Sequence, residues 1–352
     1  MNPKSRPVAN WLLIGVIMII IQIILGGITR LTGSGLSITE WNVVTGTLPP
    51  MNEAAWMEAF SKYKSTEQFR QLNSGFTLAD FKFIFFWEWF HRLWGRLIGV
   101  VFLIPFIIFL FQRRFTANMV KPLVILFLLG ALQGAVGWIM VASGFTGDAV
   151  YVRPTKLAMH FVLAMILLFY TYWFYLKLSV RNEDRIGIRS IRNFTWVVII
   201  VLFIQFFWGA LMAGHKAAAV AYSWPTMNGS FIPKEAFNRP EGLISIIENP
   251  FVVHFTHRML AYSLVILVII LTVQAFRSNA TQAFKKARNY PWIFVLVQTT
   301  LGVLTVISSI NIRAYRWNEF EWMAQLHQVV GMLLMLALVH VLFLSSKPKG
   351  QA

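Results

Sequence analysis

Four histidines, one glutamate and two arginines have the types and spacing to do chemistry in this chain. His91 and His257 lie 166 residues apart, and His160 and His327 lie 167 apart. His91-Arg92 recurs as His257-Arg258, and Gln133-Gly134 with Gly137 recurs as Gln298 with Gly302 at an offset of 165. Gln22 matches Gln205 only at an offset of 183. Around the first histidine, Glu88, His91, Arg92 and Gly95 fall at i, i+3, i+4 and i+7. That spacing puts a carboxylate, an imidazole and a guanidinium on one helical face. Imidazole is an axial ligand for haem iron, and two facing helices of a bundle can clamp a porphyrin. His91 with His160 makes one candidate pair, and His257 with His327 makes the other. Zinc suits the second half less well, because no carboxylate or cysteine completes four ligands there. A proton relay stays open, though it has no need of duplicated pairs.

The halves differ one turn before the first histidine of each. At an offset of 166, Glu88 corresponds to His254. A buried carboxylate can titrate near neutrality and act as a general base, so the asymmetry predicts chemistry in the first half. The second half is then expected to store or pass an electron. Arg92, Arg96 and Arg258 lie beside these groups, and guanidinium forks suit porphyrin carboxylates. Lipid headgroups are the competing partner for Arg96. His215 and His340 are expected to be packed, hydrogen-bonded residues rather than ligands.

Membrane helices must position these residues. Of 352 residues 57% are hydrophobic and only 13% charged, too apolar for a soluble domain of this length. There is no cysteine, which excludes disulfides, iron–sulfur ligation and thiolate chemistry. Eight stretches reach spanning length, near 11–29, 85–111, 120–141, 157–178, 195–213, 251–275, 291–310 and 322–345. No convincing small-residue cleavage site follows the first, so it is expected to remain a span. The predicted fold class is an all-α integral membrane protein with eight transmembrane helices as two pseudo-symmetric four-helix bundles, residues 1–182 and 183–352.

The net charge of +17 is read as topology and contact with anionic lipid rather than nucleic-acid binding. Both termini and the segments 112–121, 177–193 and 277–288 hold 16 Lys and Arg against two acids, Glu183 and Asp184. Positive-inside bias makes that set cytoplasmic and the long loop 30–82 external. The second, fourth, sixth and eighth spans then run from outside to inside. Each carries one of the four histidines near its external end. Equal depth disfavours transmembrane electron transfer between haems, although a two-haem cytochrome b-type electron carrier is the alternative reading, and a haem transporter or chaperone a third.

Several stretches together resemble the haem A synthase family. They are Gly26 to Trp41, Trp87 to Arg96, Gln133 to Trp138, Pro225 to Gly229, His257-Arg258 and His327-Gln328. The resemblance implies an enzyme of the cell (inner) membrane that oxidises a methyl group of haem O to the formyl group of haem A for cytochrome oxidase assembly. It implies one haem b cofactor on His257 and His327, near Arg258, and substrate haem O on His91 and His160, near Arg92. Glu88 maps to the family's acidic residue, a candidate catalytic base. A haem O synthase and an electron acceptor are implied as partners, and a homo-oligomer is left open. The chain departs from some members in lacking a cysteine pair in the first external loop, and resembles the cysteine-free, long-loop type. His254 stands where a neutral polar residue is expected, which leaves it open as an alternative ligand.

Overall fold

The computed structural model describes residues 6–41, 45–237, 242–312 and 317–347. The first and last five residues, which the expectation for the termini concerns, lie outside the described residues. Eight long helices dominate: α1 (Arg6–Leu31), α2 (Leu78–Phe111), α3 (Ala117–Ala142), α4 (Pro154–Ser179), α5 (Arg189–Gly214), α6 (Pro250–Phe276), α7 (Tyr290–Ser308) and α8 (Glu319–Leu344). All eight contain a stretch apolar and long enough to cross a bilayer, making this a multi-pass membrane protein. Helices are the natural outcome, because lipid offers no partner to a free N–H or C=O and a helix satisfies both internally.

The N-terminal ends of α2, α6 and α8 are set by their sequence. Thr77 and Asp80 form a reciprocal cap at the start of α2. The Asn249 side chain accepts from Phe251 N and Val252 N ahead of Pro250 in α6, and Asn318 pairs with Glu321 at α8. Helix α2 starts seven residues before the apolar stretch expected at 85. Its first turns pack against two short helices of the loop between α1 and α2, Glu53–Lys64 and Glu67–Leu72. Phe60, Tyr63, Phe81, Ile84 and Phe85 form that core. Burial of aromatic surface, rather than hydropathy over a spanning window, extends the helix here.

Contacts repeat between the halves. In the first, α1 packs on α2 and α4, and α3 packs on α4; in the second, α5 packs on α6 and α8, and α7 packs on α8. The expected boundary at 182–183 falls in the turn Asn182–Asp184. The halves meet through α4 against α5 and α8, and through α1 against α8. At that last contact Gln325 donates to Ile24 O at 3.2 Å and Gln328 to Ile23 O at 2.8 Å. Gly27 makes the approach possible, since a Cβ there would stand 2.3 Å from Gln325 Oε1.

One pairing is unequal. Helices α6 and α7 run in contact, whereas α2 and α3 barely approach each other. Phe102 and Phe127 stack across that gap at 6.2 Å. Above them Gly99, Gly130 and Gly134 are exposed, with open space where a Cβ would lie. At the same offsets the second half has Val265, Val295 and Thr299, of which Val295 is buried.

Candidate active site

Each histidine is delivered by an even-numbered helix and met by an odd-numbered one. Gln22 of α1 places its amide nitrogen 3.2 Å from His91 Nε2 and 3.2 Å from the His91 carbonyl oxygen. Gln133 of α3 stands 3.2 Å from His160 Nδ1, 3.4 Å from its Nε2 and 3.2 Å from its carbonyl. Gln205 of α5 lies 3.3 Å from His257 Nε2 and 3.1 Å from its carbonyl. Gln298 of α7 lies 3.2 Å from His327 Nε2, and its own main-chain oxygen is 3.0 Å from His327 Nδ1.

A glycine stands one turn after each of these glutamines. A Cβ on Gly26 would stand 3.2 Å from His91 Cε1, and one on Gly209 would stand 3.2 Å from His257 Cε1. At Gly137 and Gly302 the distances to His160 and His327 Cε1 shrink to 2.8 and 2.9 Å. Each imidazole therefore brings its Cε1 close to bare backbone, the approach that glycine alone permits in a membrane helix. As a site, the fourfold Gln-x-x-x-Gly unit is not legible from the sequence reading. There the repeats Gln133/Gln298 and Gln22/Gln205 mark only the duplication, and the glycine four residues on stands out in one pair alone.

The expected pairs come together. The rings of His257 and His327 stand 6.4 Å apart between centroids, a span that one metal ion with bonds of about 2 Å to each imidazole can bridge. His91 and His160 are close enough to interact electrostatically. The donor set fits haem iron: imidazole nitrogens in an apolar bundle, with His91 Nδ1 and His257 Nδ1 buried and, among the described residues, without a hydrogen-bond partner. His215 and His340 take structural partners, Ile247 O at 2.8 Å and Tyr172 OH at 2.9 Å.

Glu88 is one turn from His91 and only 2% exposed. Its Oε2 accepts from Ser37 N (2.7 Å), Ser37 Oγ (2.7 Å) and Ile38 N (2.9 Å), and its Oε1 pairs with Arg92 at 2.6 Å. Arg92 also donates to the carbonyls of Ile38 and Glu40 and stacks its guanidinium over Trp41. The loop after α1 is thereby tied to α2 at the two residues that flank His91, Glu88 and Arg92. The second half does the same with other residues. Arg258 donates to Ala221 O (3.2 Å), Ser223 O (2.7 Å) and Thr226 O (3.3 Å), and through Nε to His254 Nε2 at 3.0 Å. His254 is fully buried in this role. The residue three before the histidine and the arginine after it thus form one loop clamp, with a carboxylate in the first half and an imidazole in the second.

This constellation has close relatives. The sequence model of the COX15-CtaA family, cytochrome oxidase assembly protein, matches residues 9–339. The chain belongs to this family. It is 42% identical over 304 residues to the Heme A synthase of Bradyrhizobium sp. (strain BTAi1 / ATCC BAA-1182), covering 86% of this chain and 83% of that protein. It is 35% identical over 351 residues to the Heme A synthase of Flavobacterium johnsoniae, covering 99% and 100%. The Heme A synthase of Cereibacter sphaeroides (strain ATCC 17029 / ATH 2.4.9) is 38% identical over 359 residues, covering 98% and 89%. The COX15-CtaA match spans all eight helices, so the duplicated histidine pairs and both loop clamps lie inside the family's region.

Proposed function

We propose that this chain converts haem O to haem A for cytochrome oxidase assembly, with haem O held by His91 and His160 and one haem b held by His257 and His327. The observation that carries the reading is the pair of matching sites, each with two half-buried imidazoles seated on glycine. They lie in a chain whose relatives over nearly its full length bear the name Heme A synthase. Oxidising a ring methyl to a formyl group with water as the oxygen source releases four electrons and four protons: one water enters to give the alcohol, a second gives the hydrate, and the hydrate loses one. Haem b, when bound, supplies a one-electron relay toward a membrane electron acceptor. The protein's own residues do the rest. The histidines orient the substrate's iron, the apolar helices exclude water, and the clamped external loops close both sites.

Glu88 has two readings. As a general base it would take a proton at Oε1, the oxygen engaged by Arg92 alone. As an anchor it holds Ser37 and Ile38, the use its four donors favour. For Arg92 and Arg258, the loop carbonyls on their N–H groups favour clamping over contact with porphyrin carboxylates.

The orientation that goes with this reading has cytoplasmic termini, a cell (inner) membrane location and haem sites near the external leaflet. A haem O synthase as donor is part of it. Expression with a haem O-producing enzyme, followed by chromatography of the extracted haems, tests the function. Haem B together with haem O or haem A species supports it; haem B alone marks a two-haem electron carrier instead.

A further inference from the structure

The four glutamines touch the histidines on atoms that matter for ligation. We propose that Gln22 and Gln205 are positioning residues for the iron-ligating His91 and His257, and that Gln205 tunes the potential of haem b. The proposal rests on the reading of His257 and His327 as iron ligands.

Each amide nitrogen has two hydrogens. In α1 and α5 one points to the carbonyl of the facing histidine and the other to its Nε2. Bonding to the helix carbonyl fixes the plane of the amide. Bonding to Nε2 selects the tautomer with the proton on Nδ1 and the lone pair on Nε2, which is the form that ligates a metal. His327 is held in that tautomer from both sides, because Gln298 O lies 3.0 Å from its Nδ1.

Two sets of unpaired atoms would be free to pair if iron took the Nε2 lone pair. Among the described residues, the Oε1 atoms of Gln22 and Gln205 are buried without a donor. The Nδ1 atoms of His91 and His257 are buried without an acceptor. A free acceptor and a free donor thus belong to the same Gln–His contact, and each is costly to leave unpaired. A turn of the amide or ring would then pair Nδ1–H with Oε1, the amide N–H staying on the helix carbonyl. The glycine beneath each ring leaves no Cβ in the way. A neutral amide oxygen on Nδ1–H raises the basicity of the ligand moderately, the usual effect of an outer partner on a metal-bound imidazole.

The sign is testable in the purified full-length protein. Redox titration and low-temperature electron paramagnetic resonance of haem b are compared for the unaltered chain, Gln205→Leu and Gln205→Glu. Removing the acceptor makes imidazole a poorer donor to ferric iron, so Gln205→Leu shifts the midpoint potential upward. A carboxylate acceptor makes it a better donor, so Gln205→Glu shifts the potential downward and changes the g-value spread. Gln205→Glu is nearly isosteric, so it loads haem b even where the leucine variant folds poorly. Unchanged potentials, or shifts of the same sign in both variants, overturn the proposal. His257→Ala separates the two claims. If it keeps haem b, the ligation reading falls. If it loses haem b while the Gln205 variants keep the original potential, the positioning role alone falls.

Discussion

Glu88 is a carboxylate with four donors, and its substitution separates proton transfer from anchoring. Glu88→Gln keeps the volume but puts an NH2 group among groups that are themselves donors. If Glu88 is the base, turnover per haem b-loaded molecule falls by about 10²–10⁴-fold, and haem O or the alcohol accumulates. Ser37→Ala removes one donor to Oε2 and leaves the carboxylate in place. If Glu88 only anchors the loop, Ser37→Ala and Glu88→Gln lose stability together and make haem A at similar rates per folded molecule. Haem A per mole of haem b-loaded protein distinguishes these outcomes. At the second site, His327→Ala is expected to remove haem b, as read by the loss of its low-spin absorption. His257→Ala is expected to do the same without rescue from His254, because His254 is committed to Arg258.

Glycines on the helices divide into two groups with opposite consequences. Gly302 carries His327 so closely that an alanine Cβ would lie 2.9 Å from the ring, which two contacts to Gln298 hold in place. Gly302→Ala should therefore push the ring off its seat, at a cost of about 1–3 kcal/mol for overpacking, and lower haem b content at equal protein yield. Gly130 has nothing within 4 Å of its missing Cβ. Gly130→Ala gains helix propensity of roughly 0.5–1 kcal/mol and raises the thermal midpoint in detergent. The same substitution thus changes sign between α7 and α3, because one glycine supports a ring and the other faces a gap.

Across the molecule, α1 ties the halves together. It carries Gln22 for His91 and offers Ile23 O and Ile24 O to the glutamines that flank His327. Gly27→Val would drive a side chain into both glutamines at once, so both sites should suffer from a substitution that touches neither histidine. Loss of haem b content in that variant is the measurable consequence. Topology is checked with a reporter after Arg113, expected to behave as cytoplasmic, and one at Gly75, expected to behave as external. Gly75 suits insertion because it is exposed and has open space around it, whereas neighbouring Asn73 is buried on Tyr63.

Hydropathy and helical period are local properties, so they were enough to place eight spans, to group Glu88, His91 and Arg92 on one face and to find each histidine near a helix end. Composition likewise excluded thiolate and iron–sulfur chemistry. What meets each histidine is not local. Gln22 is 69 residues from His91 and Gln205 is 52 from His257, while Ser37 reaches Glu88 across 51. The α1–α8 clamp joins residues 301 and 305 apart. A hydrogen bond depends on rotation of both helices to within a fraction of a turn and on backbones close enough for a glycine. No periodicity within one segment encodes that rotation. Packing of all eight helices decided that Arg92 and Arg258 grip loop carbonyls, and that His254 serves a clamp in the place where Glu88 stands in the other half.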